Sequence, residues 1–200
     1  MKAQIKKVFD ELCGTSSRGE IMFLLEECPE VIDAVDEDGN TIIMATPFWK
    51  VAETLINWGA DVKIRNTDGM TALHYWVMND HPDIVEQLVE SGAEIDAQDF
   101  DGRTPIMYSF LNKASGSAEF LVERGAALNI QDIKGRTALH YAVLYRDYKF
   151  AKLLLSRGAV VEVYDEYGYS PHTIAGTVTD TRMIKLLEQG NLVATKGSAK

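Results

Sequence analysis

Apolar residues fall along this chain in short stripes of helical spacing, each closed by a polar turn. Ile5, Val8, Phe9 and Leu12 form the first, and Ile21, Leu24 and Leu25 the second. Further on come Val51, Ala52, Leu55 and Ile56, then Leu139, Ala142 and Val143, then Phe150, Leu153 and Leu154. Steps of three and four residues place such side chains on one face of an α-helix. The pattern therefore predicts an all-α chain of short helices. None of them can bury its apolar face alone, so each must pack on its neighbours.

The stripes keep a period. Asp132-Ile133-Lys134-Gly135-Arg136-Thr137-Ala138-Leu139-His140 recurs 33 positions earlier as Asp99-Phe100-Asp101-Gly102-Arg103-Thr104-Pro105. A further 33 back stands Asn66-Thr67-Asp68-Gly69-Met70-Thr71-Ala72-Leu73-His74, and 33 forward Asp165-Glu166-Tyr167-Gly168-Tyr169-Ser170-Pro171. A second marker, Gly92-Ala93, Gly125-Ala126 and Gly158-Ala159, runs in step, with Gly59-Ala60 ahead of it. In each unit the Asp and Gly bracket a tight turn in which Gly takes positive φ. The Thr that follows is placed to cap a first helix, and Pro105 and Pro171 suit a first helical turn. A closing Gly ends the second helix.

This turn, helix, turn, helix unit resembles the ankyrin repeat, whose T-P-L-H signature is carried most closely by Thr71-Ala72-Leu73-His74 and Thr137-Ala138-Leu139-His140. The resemblance implies an ankyrin-repeat solenoid of stacked helix-turn-helix units with protruding turn tips. It divides one domain into a helical cap at 2–35, repeats at 36–65, 66–98, 99–131 and 132–164, and a capping repeat at 165–190, leaving 191–200 as a frayed tail. Met44 and Met107 stand where the family has His, and His172 falls one position early. Those departures weaken local hydrogen bonding without altering the fold.

Three stretches depart from regularity. Ser17 and Glu20 read as a capping box for the second helix of the cap. The repeat from Asp36 is three residues short: Gly39 to Gly59 spans 20 positions, against 23 in the next three. The loss falls around Thr46-Pro47-Phe48-Trp49, so its inner helix is brief and Pro47 opens the outer one. Trp49 lies off the outer stripe and either packs on the capping helices or stands at the surface as an anchor. Lys113-Ala114-Ser115-Gly116-Ser117 reads as a mobile inter-helix turn, since no strand precedes it and no phosphate-loop lysine follows.

The chain has 200 residues, 46% of them apolar, as suits one soluble domain. Its two cysteines, Cys13 and Cys28, lie in or beside apolar stretches and read as buried thiols of a reducing compartment. No apolar core follows the N-terminal lysines, and no window approaches a membrane span. A cytoplasmic location is the expectation. The net charge of −10 is uneven: residues 1–100 carry 20 acids and 7 bases, a balance of −13, and residues 101–200 carry 10 acids and 13 bases, a balance of +3. Nucleic acid is a poor partner for the front half. The acid either keeps an elongated monomer soluble or meets a basic protein.

No catalytic motif is present, and no cofactor or metal is expected. His74 and His140 sit two repeats apart, about 20 Å by helix packing distances of ~8–10 Å, too far to share an ion. Each reads as a hydrogen-bonding link to the neighbouring turn. The resemblance implies protein binding through the turn tips and the ends of the inner helices. Mapped here, the candidate partner-binding residues are Asp38, Asp68, Met70, Met78, Phe100, Asp101, Arg103, Leu111, Tyr145, Tyr164, Tyr167 and Tyr169. The expectation is a non-enzymatic module that occludes a basic protein partner, as an inhibitor or an antitoxin-like immunity protein. An adaptor or translocated effector recruiting a host protein, and a self-assembling structural protein, are the alternatives.

Overall fold

The computed structural model describes residues 2–110 and 115–197. Eleven α-helices run through them: α1 Lys2–Gly14, α2 Arg18–Glu27, α3 Ile42–Ala45, α4 Trp49–Asn57, α5 Ala72–Met78, α6 Pro82–Glu90, α7 Ser115–Glu123, α8 Ala138–Leu144, α9 Tyr148–Ser156, α10 Pro171–Thr177 and α11 Thr181–Gly197. Pro29–Val31 and Pro105–Phe110 are 3₁₀ helices. Among the described residues the only β-pairing is one antiparallel bridge between Val35 and Thr41. α11 passes through Gly190 instead of stopping there, which replaces the frayed tail expected from 191 onward with helix as far as Gly197.

Two layers of helices stack in register. Inner elements touch in the order α1, α3, α5, Pro105–Phe110, α8, α10, and outer ones in the order α2, α4, α6, α7, α9, α11. The apolar stripes face each other between the layers: Leu12, Leu25, Leu55, Leu73, Leu88, Leu121, Leu139 and Leu154 are wholly buried and belong to one continuous core. Burial of this kind is non-directional. What sets the register is the turn tips.

Each tip is built by one side chain. Asp36 Oδ1 accepts the amides of Asp38 and Asn40 (3.0 and 2.8 Å), Asn66 Oδ1 those of Asp68 and Met70, Asp132 Oδ1 those of Lys134 and Arg136, and Asp165 Oδ1 those of Tyr167 and Tyr169. Successive tips then join by one backbone hydrogen bond per interface. Thr67 N–H donates to Asp38 O, Phe100 N–H to Asp68 O, Ile133 N–H to Asp101 O and Glu166 N–H to Lys134 O, all at 2.8–2.9 Å. That close approach is why the tip glycines matter. Gly135 has φ +73°, and a Cβ there would lie 3.0 Å from Asp165 Cα.

The inner helices are tied to the tips by His and Tyr. Thr71 N–H donates to His74 Nδ1 (3.0 Å), and Thr137 N–H to His140 Nδ1 (3.0 Å). A backbone amide can only donate, so the proton of each ring sits on Nε2. From there it bonds to the next tip, on Arg103 O and Tyr169 O respectively, at 3.2 Å. The Tyr108 hydroxyl donates to Asp99 Oδ2 and that of Tyr141 to Asp132 Oδ2, each at 2.5 Å. Tyr75 donates to Asn40 Oδ1 (3.0 Å) and accepts from Asn66 Nδ2 (2.9 Å).

Local expectations fared unevenly. Ser17 makes no side-chain cap; Glu20 instead takes the hydroxyl of Thr15 at 2.6 Å, and Thr15 Oγ1 accepts Ser17 N–H. Pro47 stays outside α4, in an extended link whose Thr46 Oγ1 accepts Phe48 N–H. Trp49 is at the surface, 45% exposed, with the Lys50 ammonium over its ring. Ser115 to Ser117 form the first turn of α7, not a loop, and Ser117 N–H is capped by Asp80 Oδ1 of the preceding unit (2.8 Å). Lys113 and Ala114 lie outside the described residues.

Two outcomes follow from the tips and the histidines. Gly135→Val forces a β-branched residue to positive φ against the next tip, and is expected to cost about 2–4 kcal/mol in urea unfolding. Gly168→Ala, with φ +78° but open space around its Cβ, is expected to cost less. Burial lowers the pKa of His74 to about 4 and lowers that of His140 too. The unfolded rings titrate near 6.5, so between pH 6.5 and about 4 the unfolded chain binds more protons. Stability present above pH 6.5 is therefore lost as pH falls, on the order of 3 kcal/mol for His74. Urea midpoints across that range should show the wild type losing its advantage over His74→Thr, a variant that copies the residue the last unit uses at this place.

Candidate protein-binding face

The tip ladder leaves its side chains pointing away from the stack, and they change character along it. The second tip position reads Glu37, Thr67, Phe100, Ile133, Glu166, and the third Asp38, Asp68, Asp101, Lys134, Tyr167. All ten are exposed. Asp38 and Asp68 enter no ion pair among the described residues, whereas Asp101 is bound by Arg103 Nη2 at 2.5 Å. Arg103 also holds Asp99 (3.0 Å) and lies over the Tyr108 ring, so its guanidinium serves the tip first. Of the three third-position carboxylates, two are thus free of an ion pair among the described residues and Asp101 is neutralised.

Aromatic side chains crowd the other end. Phe100 is 69% exposed and Tyr167 65%, with Tyr164, Tyr169 and Ile133 exposed beside them along the same edge. The Tyr164 hydroxyl bonds Glu162 at 3.1 Å. Tyr145, at the C-terminal end of α8, is also exposed but not isolated. Phe110 stacks on it at 4.1 Å between centroids, and on Tyr141 at 5.0 Å. Phe110 is the residue that sequence reasoning missed. Its signal would have been its place at the end of an inner helix, next to Leu111.

Met70 does not belong to this face. It follows the tip glycine and is buried, an apolar side chain at the position where Arg103 and Arg136 make the same amide bond to the turn but keep their guanidinium groups partly exposed. Met78 is half-buried at the end of α5. Leu111 lies outside the described residues.

Chemistry has little to work with here. Both nitrogens of His74 and of His140 are engaged with backbone, and among the described residues no three His, Cys, Asp or Glu side chains converge as metal ligands. Burial raises the Cys13 thiol to about 11 and raises Cys28 as well, which keeps both as poor nucleophiles. No described helix is long and apolar enough to cross a membrane.

A model of ankyrin repeats matches three times, over residues 42–132, 99–165 and 115–191. The human and mouse Notch-regulated ankyrin repeat-containing proteins are each 26% identical over 88 residues, which is 41% of this chain and 77% of theirs. Among solved structures, a chain from the complex of the predatory endopeptidase Bd0816 of Bdellovibrio bacteriovorus with immunity protein Bd3460 superposes with a TM-score of 0.77. It is 24% identical, over 92% of this chain and 97% of that one, and supports the fold. With the repeats matched across most of its length, this chain belongs to the ankyrin-repeat family.

Proposed function

We propose that this chain is a non-enzymatic binding protein, a monomer of the cytoplasm, that grips a basic protein along its tip edge and occludes it. Ankyrin repeats are protein-interaction modules, and that part rests on the family. The basic partner rests on one observation: Asp38 and Asp68 project side by side from hydrogen-bonded tips with no cation against them. Nothing in the fold requires a carboxylate there, since the same position holds Lys134 and Tyr167 in later tips. The blocking role is drawn from the immunity protein named in the structural match, which is itself found with an endopeptidase. The aromatic end, with Phe100, Tyr145, Tyr164, Tyr167 and Tyr169, supplies the apolar anchors that interfaces favour.

The decisive measurement is association kinetics with the partner captured by the immobilised chain. Asp38→Lys with Asp68→Lys is expected to slow association about tenfold at low salt and to change dissociation much less. An on-rate that stays at the wild-type value removes the electrostatic reading and leaves the acid as a solubility device. Tyr167→Ala is expected to weaken binding by roughly 2 kcal/mol while the melting temperature stays near wild type. Tyr167 carries no core contact, so a large drop in melting temperature would place the residue in the stack instead.

A further inference from the structure

The tip ladder has an open end. In every later tip the amide at the second position donates to the carbonyl of the tip before it, at Thr67, Phe100, Ile133 and Glu166. Glu37 holds that position in the first tip, and among the described residues nothing accepts its N–H. Among the described residues no turn precedes α1, and the place beside residues 34–38 that a preceding tip would occupy is a groove. It measures about 730 Å³ and runs between α1 and residues 34–38. Ile5, Phe9 and Val35 line it, and Val35 is 50% exposed although apolar. Asp10, Glu37 and Asp38 stand on its rim with Asp36. Among the described residues Lys6 is the one cation lining it, already paired with Glu37 at 3.3 Å through two exposed side chains.

We propose that this groove takes an extended segment of the protein partner, one that carries an apolar side chain beside a Lys or Arg. The segment adds to the ladder as a preceding tip would. Its backbone carbonyl accepts Glu37 N–H, in the manner of strand addition to a sheet edge. Its apolar side chain covers Ile5, Phe9 and Val35, and its cation answers the surplus of carboxylates over the single paired ammonium. A neutral or acidic segment would leave that surplus unrelieved, which is why the occupant is a basic one. The inference rests on the proposed basic partner and adds to it a defined subsite at the N-terminal end of the acidic tips.

The test uses the full-length chain labelled with nitrogen-15 and a capped synthetic peptide, Lys-Val-Leu-Lys. Titration is expected to move the amides of Ile5, Phe9 and residues 34–38, and to slow exchange of the Glu37 N–H by at least about threefold. Asp10→Lys with Val35→Ser changes two exposed positions outside the row used for the partner assay, and is expected to weaken the peptide about tenfold. A capped Glu-Val-Leu-Glu peptide is expected to leave the groove unmoved. Shifts spread equally over residues 67, 68, 100 and 101 would mean general adsorption of cations, and would overturn the subsite. Shifts at residues 34–38 that depend on protein concentration without peptide would assign the groove to a second copy, and would overturn it too. If the groove is silent while Asp38→Lys with Asp68→Lys still slows the partner, this inference falls and the proposed function stands.

Discussion

One backbone hydrogen bond per interface, from the second residue of a tip to the third residue of the tip before it, sets the geometry of the whole stack. Apolar burial between the helix layers supplies the driving force, but it tolerates sliding, because Leu packs on Leu with little direction. The tip bond does not tolerate it. It needs a glycine at positive φ so that the two backbones meet at Gly135 and Asp165 without a Cβ between them. It also needs a carboxylate or amide oxygen inside the turn to hold the two amides that follow. The tyrosines complete this arrangement from the helix side. Tyr108 and Tyr141 reach the second oxygen of the tip carboxylates, so Asp99 and Asp132 are each satisfied at both oxygens.

The same logic accounts for where the inner helices fail. Where the N-cap residue is answered by a hydrogen-bonding side chain at the third helical place, as in Thr71 with His74, Thr137 with His140 and Ser170 with Thr173, a seven-residue α-helix forms. Met44 and Met107 offer no such group. α3 is only four residues long, and Pro105–Phe110 winds as a 3₁₀ helix. Thr104 Oγ1 is buried without a partner among the described residues, and a buried unsatisfied hydroxyl costs about 1–3 kcal/mol. The neighbours hold that unit in place: it packs against both α5 and α8, and Phe110 stacks on Tyr141 across the interface. A weak unit between two well-capped ones is what a one-dimensional stack can absorb.

Most of this was legible because periodicity carries it. A marker repeated every 33 residues locates the tips, the helices and the glycines together, and the substitution of Met for His flags the weakened units before any coordinate is seen. What escaped was non-periodic or depended on direction. Met70 shares its position with Arg103 and Arg136, so the repeat register marks it as surface, yet an unbranched apolar chain folds into the stack where a guanidinium cannot. Thr15 displaced Ser17 as the partner of Glu20, a contact that the cap spacing does not announce. The left-handed residues before the outer helices, Asp80, Arg146 and Thr179, have no glycine to announce them. The Asp-to-Tyr bond was visible as a nine-residue spacing at 99 and 108 and again at 132 and 141, but helical periodicity alone gives no reason to look for it.

Because the ladder is carried by backbone bonds, to which the Thr67 hydroxyl adds a second bond to Asp38 O (2.8 Å), the outward side chains of the other tips vary with little cost to the fold. Their actual distribution then carries information that core residues do not. Carboxylates occupy the third position in the first three tips, then give way to Lys134 and Tyr167, while the exposed apolar groups begin at Phe100 and continue toward the C-terminal end. Mere solubility would be served by acid scattered over any exposed position, and the outer helices offer many. An edge that is acidic at one end, aromatic at the other, and joined by an Arg103 that neutralises Asp101 at the boundary gives a docked surface a direction. A partner with a basic strip ahead of an apolar one fits it in one orientation and meets repulsion or bare charge in the reverse. That polarity is what the proposed single mode of docking draws on, as against indiscriminate attraction of cations.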